Sequence, residues 1–67
     1  MALSFKPLWK KLIDIDMSKT ELRKLLGISS STLARMRKDE YVSLKIINDI
    51  CRELSCTPND IIEFTPD

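Results

Sequence analysis

Apolar residues along this 67-residue chain recur mostly at intervals of three and four, the repeat of a helix with one buried face. Leu8, Trp9, Leu12 and Ile13 form the first stripe, with Lys10, Lys11 and Asp14 outside it, which predicts a helix over about 5–15. Pro7 falls in its first turn, where the missing N–H is not needed. Ser18-Lys19-Thr20-Glu21 has the form of a capping box that opens a second helix. Met17 and Leu22 are spaced as the accompanying hydrophobic staple. Leu22, Leu25 and Leu26 are expected to face inward, and Gly27 supplies a left-handed stop. Ile28 returns to the core, and either Ser29 or Ser30 caps a third helix reaching about Lys38. A fourth begins after Ser43 and turns Leu44, Ile47, Ile50, Cys51 and Leu54 inward. Thr57-Pro58-Asn59-Asp60 reads as the cap and first turn of a fifth, which buries Ile61, Ile62 and Phe64.

The expected fold is therefore all-α, five helices in a single domain spanning 1–67. One Gly and three Pro leave few turn residues for a small β-fold. At 43% hydrophobic and 31% charged residues, the chain is too apolar to be disordered. A domain of this length buries only about 60% of its unfolded surface, so an additional support such as oligomerisation is expected. No apolar run approaches the roughly 20 residues of a membrane span. The opening MALSFKPLWKKL is too interrupted by charge for a secretory signal. Cys51 lies in the apolar stripe of the fourth helix, and Cys56 follows that helix, so both read as buried or idle thiols. A cytoplasmic location is the expectation.

Charge changes the picture. The net value is only +1, but residues 1–38 hold nine Lys or Arg against three acids, whereas residues 39–67 hold two against seven. A molecule polarised this way offers a cationic face to a polyanion and an acidic back.

The second helix, the turn at Gly27-Ile28-Ser29 and the third helix make a helix-turn-helix over about 18–38. Advancing 100° per residue from Ser30 puts Leu33 and Met36 on one side of the third helix. Ser31, Ala34, Arg35 and Lys38 fall on the opposite side, with Ser30 at its edge. Such a face suits a DNA major groove: Arg can donate twice to guanine O6 and N7, Ser can bond base edges or phosphates, and Ala can touch a thymine methyl. Ser30, Ser31, Ala34 and Arg35 are the candidate base-contacting residues. Capping is the competing role for the serines, and phosphate contact or an idle surface charge for Arg35. Lys19, Thr32, Lys38 and Tyr41 are candidate phosphate contacts. A cation at the start of the second helix opposes the macrodipole, which a nearby phosphate would offset. Packing is an equal alternative for Tyr41, and Trp9 is expected in the core.

The stretch MSKTELRKLLGISSSTLARMRKDEYVSLKIINDICRELSCTPNDIIEF resembles the Cro/C1-type (phage-repressor-like, XRE) helix-turn-helix family. The matching features are Thr20 and Leu22, Gly27 and Ile28 at the turn, and Leu33 and Met36 in the third helix. The Ser43–Leu54 helix and the closing CTPNDIIEF segment match as well. The resemblance covers about 5–64 and implies a five-helix fold that binds operator DNA, often as a dimer. It places base contacts on Ser30, Ser31 and Arg35, and phosphate contacts near Lys19 and Lys38. Two positions depart from the pattern. Arg23 stands where the family prefers Ala, so its stem must reach outward or the helices must sit further apart. Lys38-Asp39 replaces the Gly or Asn often found after the third helix.

Sequence-specific binding of double-stranded DNA, as a transcriptional regulator, is the function these readings favour. The alternative is a small helical protein-interaction module of the anti-repressor or antitoxin kind, without DNA binding. Catalysis is excluded on residue types: the chain has no histidine, no paired nucleophile and base, and no Gly-rich phosphate loop. Two thiols cannot complete a zinc site, and no cofactor or small-molecule substrate is expected. A homodimer is expected, because one recognition helix reads only a few base pairs.

Overall fold

A computed structural model describes residues 1–66. Its element order is β1 (Ala2–Ser4), α1 (Lys6–Asp14), α2 (Lys19–Leu26), α3 (Ser30–Arg37), α4 (Leu44–Leu54), a 3-10 turn (Pro58–Asp60) and β2 (Glu63–Thr65). The expected fifth helix is thus a single 3-10 turn. Thr57 and Asp60 make the cap foreseen there, the Thr57 N–H donating to Asp60 Oδ2 at 3.0 Å. The chain is still turning at Ile61, at φ −122° and ψ −24°, and after Ile62 β2 pairs antiparallel with β1, Leu3 opposite Phe64. An all-α architecture is corrected to a mostly helical one with a two-stranded sheet. β-branched residues and an aromatic around 61–65 suit extended backbone once a partner strand is present.

The core joins Phe5, Leu8, Leu12, Leu22, Met36, Ile47, Ile50 and Ile61. Each helix turns two or fewer fully buried residues inward, a narrower stripe than the periodicity suggested. Ile13 is 77% and Leu44 83% exposed, and Leu25 and Phe64 are about half exposed, so these four leave the expected core. A 67-residue protein does not have enough chain to cover every apolar residue, and the stripe edges stay wet. Trp9 is half-buried, its ring 6.3 Å from that of Phe5.

Helix ends explain how the elements are joined. Ser18, Ser29 and Ser43 each accept a backbone N–H three residues on, at 3.0, 3.2 and 3.3 Å. Ser29 rather than Ser30 therefore caps α3. At their C-termini all four helices close through a residue in the left-handed region: Asp16, Gly27, Asp39 and Ser55, at φ 58, 68, 59 and 53°. In each case the residue after it donates back across the last turn, as Glu40 N does to Arg35 O at 2.9 Å. The free donors at the start of α1 are also satisfied. Phe5 N donates to Asp39 Oδ1 at 2.9 Å, Lys6 N to Ser4 Oγ at 3.1 Å and Leu8 N to Ile61 O at 3.2 Å. Asp39 thus ends one helix with its backbone and begins another with its carboxylate.

Both cysteines are free and partly buried. Burial, reinforced by the neighbouring Cys51 thiol, pushes the Cys56 thiol above its ordinary value and keeps it protonated. No helix among the described residues is long and apolar enough to cross a membrane.

Candidate nucleic-acid interface

α2 and α3 meet across the turn at Gly27, Ile28 and Ser29. Gly27 carries the left-handed backbone that lets the chain reverse. Arg23 is half-buried, and its guanidinium curls over that turn to donate to the Ile28 carbonyl at 3.4 Å. Its stem covers the junction while the charged head ties the turn down, which is how the helix pair accommodates a large residue in place of alanine. Of the two outcomes open to Arg23, a stem reaching outward or a wider helix spacing, the side chain takes a path over the turn to the Ile28 carbonyl.

Leu33 and Met36 are buried, which fixes the rotation of α3 about its axis. Ser30, Ser31, Arg35 and Lys38 are exposed; Thr32 and Ala34 are half-buried at the margin. Three hydroxyls cluster at the helix start: Ser29 Oγ lies 2.9 Å from Ser31 Oγ and 3.0 Å from Thr32 Oγ1. Ser30 stands beside them with its side chain exposed. Hydroxyls and first-turn N–H groups at a helix N-terminus favour an anion there.

At the other end of α3, Arg35, Lys38 and Tyr41 line one open cleft together with Asp39, Glu40 and the start of β1. Arg35 Nη2 donates to the Tyr41 carbonyl at 2.7 Å, and Arg35 Nε lies 3.6 Å from Glu40 Oε1. Tyr41 itself is 67% exposed. The loop that follows α3 is set by Asp39, whose left-handed backbone does the work of the Gly or Asn that the chain lacks there.

Lys19 lies apart from that cleft. Its ammonium sits over the Trp9 ring, 4.5 Å from the centroid, so the first residue of α2 is held against α1 by a cation–π contact. Of the eight candidate residues, α3 carries Ser30, Ser31, Thr32, Ala34 and Arg35, while Lys38 and Tyr41 join it through the following loop. Among the described residues no group of three or more His, Cys, Asp or Glu is placed to hold a metal.

A polarised charge distribution, a helix pair joined at a left-handed glycine and a second helix with one polar flank together define a DNA-binding helix-turn-helix. Residues 7–67 match the Cro/C1-type helix-turn-helix DNA-binding domain, and the chain belongs to that family of transcriptional regulators. It is similar to a protein described as an uncharacterised HTH-type transcriptional regulator, YozG, of Bacillus subtilis (strain 168), at 36% identity over 53 residues. The match takes in 76% of this chain and 63% of that relative, so this chain aligns with less than two thirds of the relative's length. Its fold matches the crystal structure of the transcriptional regulator VanUg with a TM-score of 0.95 and 48% identity, covering 98% of this chain and 88% of that one. These proteins are regulators rather than enzymes.

Proposed function

We propose that residues 1–67 act as one domain that binds double-stranded DNA sequence-specifically and regulates transcription by inserting α3 into the major groove. The observation that carries this reading is the rotation of α3, with Leu33 and Met36 buried and Ser30, Ser31 and Arg35 facing solvent. In this pose Ser30, Ser31, Ala34 and Arg35 meet base edges, Arg35 through guanine. Lys19 at the start of α2, Thr32 near the start of α3, and Lys38 and Tyr41 beyond its end meet phosphates on either side of the groove.

Two copies bind together. Leu44 stands 83% exposed at the rim of an apolar groove of about 100 Å³ lined by Leu3, Val42, Ile47, Ile62 and Phe64. That volume is about three times a water's share of the liquid, enough for a branched aliphatic side chain. Knob and hole on one patch are what a two-fold interface requires, since each copy must complement itself.

The test is a selection from random duplexes, followed by sedimentation of the complex. A palindromic winner bound by two copies supports the reading. On that site Arg35→Ala should weaken binding by roughly 1–3 kcal/mol and relax preference at one base pair. Unchanged affinity in that variant rules out the base-contact assignment.

A further inference from the structure

The side chain of Arg35 is 55% exposed, yet one edge of its guanidinium is already engaged. Nε and Nη2 lie on the same side of the planar group, and each points one N–H in the same direction. Nη2 donates to the Tyr41 carbonyl at 2.7 Å, and Nε lies at ion-pair distance, 3.6 Å, from Glu40 Oε1. Nη1 makes no hydrogen bond among the described residues, which leaves the Nη1–Nη2 edge the less engaged one. It is a two-donor fork of the kind that matches guanine O6 and N7.

The clamp is built by the chain path. Asp39 turns left-handed at φ 59°, and Glu40 N bonds back to Arg35 O at 2.9 Å, so residues 40 and 41 return alongside the last turn of α3. Other charged groups share the cleft. The Asp39 carboxylate accepts from Phe5 N, and Lys38 repels the guanidinium, which leaves Glu40 as the anion facing it among the cleft residues. A free arginine has many rotamers to lose when it docks on a base. One held along its flank has fewer. A carboxylate on a surface that approaches phosphates also opposes attachment to DNA of any sequence.

We infer that Glu40 is a positioning and specificity-determining residue: with the Tyr41 carbonyl it grips the flank of Arg35 and presents the Nη1–Nη2 edge to a guanine, while its charge penalises indiscriminate binding. This rests on α3 entering the major groove.

The experiment uses the full chain and its selected duplex. It compares affinity for that duplex with affinity for the duplex whose Arg35-dependent G·C pair is replaced, and with affinity for an unrelated duplex at the same salt. The unsubstituted chain should discriminate by roughly 5- to 150-fold at that pair. Glu40→Gln and Glu40→Ala should lower this ratio about threefold or more and tighten binding to the unrelated duplex about two- to fivefold. Their melting temperatures should not move, since an exposed ion pair contributes little to folding. A variant that merely damaged the fold would weaken all three affinities together, so the opposed changes identify positioning. Glu40 variants that keep the parental ratio overturn the inference while leaving the groove reading intact. An Arg35→Ala variant that also leaves the ratio unchanged overturns both.

Discussion

Substitutions at Asp39 separate two tasks that one residue performs. Its backbone sits in the left-handed region that ends α3, and its carboxylate accepts the Phe5 N–H at 2.9 Å where α1 begins. Asp39→Ala loses the acceptor, at about 0.5–2 kcal/mol for a capping contact of this kind. It also puts a β-carbon without a compensating polar group into a left-handed backbone, at about 1 kcal/mol. The expected total is about 1.5–3 kcal/mol, or a melting temperature lower by roughly 6–24 °C in a chain of this size. Asp39→Gly relieves the backbone while losing the acceptor, so it should fall within about 1 kcal/mol of the parent. Asp39→Asn keeps the acceptor and tolerates the backbone but removes a negative charge from the N-terminus of α1, for about 0.3–1 kcal/mol. Urea denaturation followed by circular dichroism at 222 nm measures all three. The reasoning is refuted if the alanine and glycine variants are equally stable, or if glycine exceeds the parent by the whole left-handed term, since the carboxylate bond would then contribute nothing.

The remaining expectations concern other termini and charges. Ser55→Gly should raise stability by about 0.5–1 kcal/mol, because Ser55 ends α4 at φ 53° with a side chain that opposes that backbone. Gly27→Ala should cost about 1 kcal/mol through backbone strain alone, as nothing lies within 4 Å of an added Cβ; a much larger loss in calorimetry would mean a hidden clash. The bonds from Lys45 hold the Asp49 carboxyl below the ordinary aspartate value of 3.8, and the Thr57 N–H does the same for Asp60. Their folded values are depressed, so their stabilisation is complete above about pH 5 and fades as pH falls through the folded values. Melting temperatures taken from pH 6 down to pH 2 should decline, and Asp49→Asn should make the decline shallower. Lys19→Ala should reduce the log–log salt slope of duplex binding by about 0.9 if the ammonium above Trp9 meets one phosphate; an unchanged slope would leave Lys19 a purely structural residue.

What could be read in advance depended on how local the determinants are. α2 was legible from end to end because Met17, Ser18, Glu21, Leu22 and Gly27 all act within a few residues of one another. The rotation of α3 followed from Leu33 and Met36 in the same way. The C-terminal stops of α1, α3 and α4 were not marked, since Asp16, Asp39 and Ser55 adopt a backbone that sequence patterns associate with glycine. Thr57 to Asp60 carry the same cap whether one turn or three follow. What ends the helix there is pairing with residues 2–4, about sixty positions away. Arg35 was correctly placed in solvent by its angle, but its partners Glu40 and Tyr41 depend on the turn at Asp39 and had no periodic signature. Leu44 and Ile13 belong to apolar stripes wider than the rest of the chain can cover.

Strand pairing sets Ala2 beside Thr65, so the chain nearly closes on itself, and Ala2 and Leu3 also form one wall of the cleft that contains Arg35. A peptide appended before the first strand or after the second would leave the protein at the same place, next to the arginine. A purification handle at either end would crowd that mouth, and a hairpin linker joining the two ends, with new ends opened in the exposed 39–41 loop, would move any such handle to the opposite lip of the same cleft rather than away from it.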